Sequence, residues 1–133
     1  MAKLHKQQPE FELQKQVCRY LSIQYPNILY MTDSIASCKL TQQQAARNKL
    51  VQKAGFHCPD LIIFEKRGEW GGLFIELKAE SPFYKKEPTV LKANEHVEAQ
   101  QATISALNLK GYKAMFAWDF EQIRAIIDDY LGQ

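Results

Sequence analysis

Three charged residues interrupt a stretch that is otherwise built for burial. From His57 to Glu80 the chain reads HCPDLIIFEKRGEWGGLFIELKAE, two oily segments about a glycine-rich turn, with Asp60, Glu76 and Lys78 set into the segments themselves. An unpaired charge in a low-dielectric interior costs several kcal/mol, so such groups must pair with one another or hold a metal ion. Side chains alternate along an extended chain, so Glu76 and Lys78 share a face with Phe74. On the preceding segment Asp60, Ile62 and Phe64 share a face. A hairpin turning symmetrically about Gly68 sets Asp60 opposite Glu76, with Cβ atoms ~4.5–5.5 Å apart on one face. Asp60, Glu76 and Lys78 then converge at one end of a sheet, with Phe64 and Phe74 filling the core behind them.

Two facing carboxylates repel, and a divalent cation resolves the repulsion; hard oxygen ligands suit Mg²⁺ or Mn²⁺. A lysine beside such an ion has a use in phosphodiester cleavage. It can position or deprotonate the attacking water, or stabilise the extra negative charge at phosphorus. The plainer alternative is that Lys78 pairs with Glu76 or Asp60 at a strand end.

The flanking elements must hold these residues in place. Leu13, Val17, Tyr20 and Leu21 recur at helical spacing, which predicts an amphipathic helix from about Glu10 to Gln24, ended by Pro26. NILYM reads as a short strand. Thr41 with Gln44 three residues on is a capping-box pattern, opening a helix that runs to about Lys53, before Gly55. LIIFE and GLFIELKA are strands joined by KRGEWGG. Pro82 and Pro88 keep Ser81 to Asn94 irregular. A helix follows from Glu95 to about Lys110, stopped by Gly111, and then YKAMFAW reads as a strand. Asp119 with Gln122 caps a last helix whose buried stripe is Phe120, Ile123, Ile127 and Tyr130. Central strands that are apolar on both faces require helices on both sides, so the fold class expected is an α/β sandwich.

The 133 residues suit one domain, 1–133, with one core. Hydrophobic residues at 46% and charged residues at 24% are the balance of a soluble globular protein. No apolar run reaches the ~20 residues that cross a bilayer, and the polar start has no signal-peptide h-region, so no membrane role is expected. Cys18, Cys38 and Cys58 form no C-x-x-C pair, which favours a reducing cytoplasm over a disulfide framework or zinc ribbon. Net charge is only +2, but its distribution is uneven. Between Asp33 and Asp60 there is no acid, while Lys39, Arg47, Lys49 and Lys53 all fall there. That segment is a candidate nucleic-acid contact or simply a solvated surface. Lys85, Lys86 and Lys92 with Tyr84 are a second candidate contact.

Pro59-Asp60, an apolar strand, a turn and Glu76-Leu77-Lys78 resemble the PD-(D/E)XK nuclease signature. The VRR-NUC branch is more similar still: ELQKQVCRYL, GFHCPDLIIF, GLFIELK and EHVEAQ before LKGYKAMFAW follow its order over roughly Glu12 to Leu131. The resemblance implies a restriction-endonuclease-like core, a central mixed β-sheet flanked by helices on both faces. It implies that Asp60, Glu76 and the Leu77 carbonyl are ligands of Mg²⁺ or Mn²⁺, with Lys78 catalytic. Glu12 matches the family's N-terminal acid and would support the metal; otherwise it is a surface glutamate near a helix start, where the dipole favours acids. Gln100 matches the family's glutamine, although Gln101 fits the buried stripe almost as well. The implied activity is a metal-dependent DNA endonuclease like the small stand-alone members of bacteriophage and prophage, working in the cytoplasm of a bacterial host. Its implied form is a homodimer acting on branched DNA such as four-way junctions, with plain duplex the other candidate.

One departure stands out: His57 and Cys58 precede Pro59 where the family has a small or apolar residue. His57 could meet a phosphate, or His57 and Cys58 could trap a soft metal, but packing is the simpler expectation. A non-catalytic DNA-binding module and a subunit active only in a larger assembly are the competing functions. Trp70 and the Phe83–Tyr84 pair are the apolar candidates for a dimer interface, unless Trp70 folds back over its own sheet.

Overall fold

The computed structural model describes residues 2–32 and 40–133. Its element order is α1 (Ala2–Gln24), β1 (Tyr30–Thr32), α2 (Gln42–Val51), β2 (Leu61–Ile63), β3 (Leu73–Leu77), α3 (Glu95–Leu109), β4 (Lys113–Ala117) and α4 (Phe120–Leu131). This is the order read from the sequence, with shorter strands and a first helix that begins earlier. The strands form a mixed sheet in the order β1-β2-β3-β4, antiparallel except for the parallel pair β3 and β4. The described residues contain no helix long and apolar enough to cross a membrane.

Alternation along the strands separates two cores. Leu61, Ile63, Leu73, Ile75 and Leu77 face Val17 and Leu21 of α1 and Ile123, Ile127 and Tyr130 of α4. Phe74, Ala114 and Phe116 face Ile104 and Leu107 of α3. Full burial of each large aliphatic side chain is worth ~1.5–3 kcal/mol, so the sheet is clamped from both sides. The Thr41 and Asp119 caps act as the sequence predicts, and Asn94 adds a third. Thr41 and Gln44 form a reciprocal capping box, Asn94 accepts the His96 and Val97 N–H groups, and Asp119 accepts that of Gln122.

The β2–β3 register bears on the chemistry. Leu61 pairs with Ile75, Ile62 with Phe74 and Ile63 with Leu73, so the next position sets Asp60 across from Glu76 as expected. The turn itself is not symmetric. Arg67 bridges Trp70 across Gly68 and Glu69, and Gly68 takes φ +57, which suits glycine at the first position of a tight hairpin. Three residues (64–66) then oppose two (71–72), so the first strand carries one extra residue, as in a bulge. Phe64 falls on that extra segment and is 54% exposed, so it does not fill the core beside Phe74.

Trp70 packs against the α1/α4 core, and Phe83 packs edge-on to Phe116 and Trp118. Both aromatics are therefore used within the chain, which leaves Tyr84 as the exposed member of that candidate interface.

Candidate active site

At the end of β3, Glu76 faces α3 and is only 7% exposed. Its Oε1 accepts a hydrogen bond from Gln100 Nε2 at 2.8 Å, and Gln100 is equally buried. Gln101 points elsewhere, to Ser105 Oγ at 3.1 Å, so of the two glutamines it is Gln100 that lies against Glu76. Asp60 accepts the Leu77 N–H at Oδ2, 2.9 Å away, which ties the end of one strand to the main chain of the next. Lys78 donates its backbone N–H to the Ala117 carbonyl at 2.9 Å. Its half-buried side chain reaches over the Phe116 ring, with Nζ 5.9 Å from the centroid. Asp60, Glu76, Lys78 and Gln100 are thus brought together.

The electrostatics follow from this crowding. Burial pushes the Glu76 carboxyl up to about 9, aided by the Asp60 charge and a hydrogen bond with it, while Lys78 opposes the shift. Without a cation, Glu76 holds a proton at neutral pH.

The acid of α1 that the fold sets beside Lys78 and Asp60 is Glu10. Glu10 is half-buried, and its carboxyl is raised first by burial. Lys78 lowers it, the Asp60 charge raises it, and a hydrogen bond from the Ala79 backbone lowers it. Glu12 is exposed and pairs with Lys15 at 3.1 Å. At ~100° per residue, positions two apart lie on nearly opposite sides of a helix, so both cannot reach the sheet. Glu10 precedes Leu13, Val17 and Leu21 at helical spacing and so belongs to the buried stripe, a signal present in the sequence.

Two histidines stand at the edge of this group. His96 lies one turn before Gln100 on α3, and its pKa is lowered by burial and then by Lys78 and His57, with Asp60 opposing. Its ring meets that of His57 edge to face, with centroids 6.1 Å apart. Cys58 turns its Sγ to the Pro59 carbonyl at 3.5 Å. The sequence flagged His57 but gave no reason to single out His96.

Among the described residues, no ion pair engages the candidate DNA contacts. Arg47, Lys49, Lys53, Lys85 and Lys86 are all exposed, and Lys39 lies outside the described residues.

The donor set suits a hard divalent cation. Two carboxylates face one another with a buried glutamic acid that needs a proton or a positive charge. Gln100 Oε1 is buried and has no hydrogen-bond partner among the described residues. No trio of His, Cys, Asp or Glu side chains among the described residues forms a closed metal cage. Mg²⁺ does not need one, since it is commonly bound through one or two carboxylates, waters and substrate phosphates.

Comparison of the sequence with family models and with curated proteins finds no match. Comparison of the fold does. A solved structure described as a "VRR_NUC domain protein" aligns at 26% identity and a TM-score of 0.62, over 92% of this chain and 88% of that one. This likeness, over most of both chains, supports the VRR-NUC family. The mixed four-stranded sheet with its helices and this neighbour fit a restriction-endonuclease-like fold, and the neighbour suggests a nuclease-type, DNA-processing domain. Its parallel β3–β4 pair and opposed Asp60 and Glu76 provide the frame on which the chemistry can be built.

Proposed function

We infer that this VRR-NUC domain is an endodeoxyribonuclease dependent on Mg²⁺ or Mn²⁺. The observation that carries the reading is the facing carboxyl pair of half-buried Asp60 and buried Glu76, with Lys78 at the same strand end. Asp60, Glu76 and the Leu77 carbonyl would hold the ion, which supplies a more acidic bound water and offsets charge on the phosphate. Gln100 fixes the Glu76 carboxylate through its 2.8 Å bond. Glu10, held by the Ala79 N–H, adds negative charge next to the lysine. The Lys78 ammonium orients the attacking water or stabilises the charge that develops at phosphorus.

Substrate contact falls first to α2. This ten-residue helix has no buried residue, and a helix that short is marginal in water without support. Arg47 and Lys49 on it, and Lys53 just beyond, would grip the DNA backbone, with Lys85 and Lys86 as a second contact. One centre cuts one strand, so symmetric cutting of a four-way junction calls for two subunits, and a two-fold homodimer is the simplest assembly.

The test is cleavage of labelled linear, flapped and four-way DNAs with Mg²⁺, Mn²⁺ or EDTA. Metal-dependent cuts that Asp60→Asn abolishes are expected, strongest on junctions. DNA binding without any cleavage would instead support a non-catalytic module.

A further inference from the structure

We propose that His57 and His96 form a two-imidazole seat for a substrate phosphate beside the cleavage centre, a reading that rests on the nuclease assignment above. The placement comes from one face of α3. His96, Gln100 and Thr103 follow at four- and three-residue spacing, so their side chains line one side of the helix. Gln100 reaches Glu76, and Thr103 Oγ1 accepts the His57 backbone N–H at 3.2 Å. The same helical face therefore anchors the carboxylate centre and the loop that carries His57. At its N-terminal end the His96 ring stands perpendicular to that of His57, 6.1 Å away.

Packing does not account for the pair. Both side chains are exposed and neither belongs to a core cluster. Among the described residues, no group of three His, Cys, Asp or Glu side chains includes them. What is left is two ring N–H donors, presented to solvent from two separate elements near Lys78. A neutral imidazole offers one donor and one acceptor, so the seat works without protonation. DNA carries a phosphate every ~3.4 Å along each strand axis. With the scissile phosphate at Lys78, a neighbouring phosphate of the same strand is the group presented to the two rings. The contact is a neutral hydrogen bond to an anion and releases no extra counterion.

The experiment compares wild type with His57→Ala, His96→Ala and His96→Gln, using a DNA series that carries one neutral methylphosphonate at successive phosphates. Affinity is read by anisotropy in EDTA, and KM and kcat with Mn²⁺. A lost hydrogen bond to a charged group is worth roughly tenfold, so each alanine change should raise Kd and KM by about that factor. The expected kcat stays within about threefold, the dependence of log Kd on log salt is unchanged, and His96→Gln recovers part of the loss. One methylphosphonate position should weaken wild type about tenfold and add nothing to His96→Ala. Variants with wild-type Kd, KM and methylphosphonate profile would overturn the seat while cleavage leaves the nuclease reading standing. Weakened binding by the variants of a protein that cuts no DNA would sustain the seat and overturn the nuclease reading; absence of DNA binding by wild type would overturn both.

Discussion

Glu76 makes the metal-free protein sensitive to pH in an unusual direction. Its carboxyl is raised from an ordinary 4.5 to about 9, chiefly by burial and then by Asp60. Between those values the folded chain holds a proton that the unfolded chain has released. The stabilisation is complete below the unfolded value and is lost as pH climbs towards the folded one. Stability therefore falls with rising pH by ~1.4 kcal/mol per unit for one proton. From pH 6 to 8 the loss is about 3 kcal/mol, a large share of the ~5–15 kcal/mol that holds a typical domain together. The lowered His96 pKa acts in the opposite sense, but it is common to wild type and to Glu76→Gln and cancels in their difference. Urea unfolding of both proteins in EDTA at pH 6, 7 and 8 measures that difference. Wild type should lose about 3 kcal/mol relative to Glu76→Gln across the range, and saturating Mg²⁺ should remove the loss because the ion replaces the proton. Parallel pH dependences in EDTA would refute the account of Glu76 as a buried acid kept protonated by its site.

Two further predictions separate near neighbours. Glu10→Ala should lower cleavage at least tenfold and shift its pH profile, whereas Glu12→Ala, which breaks only an exposed ion pair worth ~0.3–0.5 kcal/mol, should leave the rate within twofold; rate measurements on both variants decide it. Neutralising Arg47, Lys49 and Lys53 together should flatten the slope of log K against log salt by ~0.9 for each phosphate contact removed, and an unchanged slope in binding titrations would place the DNA elsewhere.

Much of this architecture was legible because local signals agreed with tertiary ones. The capping residues Thr41 and Asp119, and the alternation in LIIFE and GLFIELKA, mark elements that the fold then uses as marked. The Asp60–Glu76 opposition was legible in outcome, because symmetry about Gly68 gives the register that the strands adopt, although the chain reaches it by a tight Arg67–Trp70 turn offset by one extra residue. The extra residue between Ile63 and Arg67 was not, and it carries Phe64 out of the core. Glu12 was chosen over Glu10 by motif position, although the apolar stripe through Leu13, Val17 and Leu21 runs through Glu10. Trp70 and Phe83 stand in glycine- and proline-rich loops, where no periodicity shows that a ring folds inward. His96 could not be linked to Asp60 at all. Their relation depends on how α3 docks on the sheet, through Gln100 and Thr103, and side-chain contacts of that range leave no trace in local spacing.

The most direct test of the central claim is single-turnover cleavage by Lys78→Ala beside its Mn²⁺ affinity. The carboxylates should bind Mn²⁺ as in wild type, because the lysine is not a ligand. The cleavage rate should fall by ~10²–10⁴-fold, the contribution of a positioned proton-transfer or charge-stabilising group. Wild-type cleavage by Lys78→Ala at matched Mn²⁺ occupancy would contradict the proposal that this strand end is the catalytic centre.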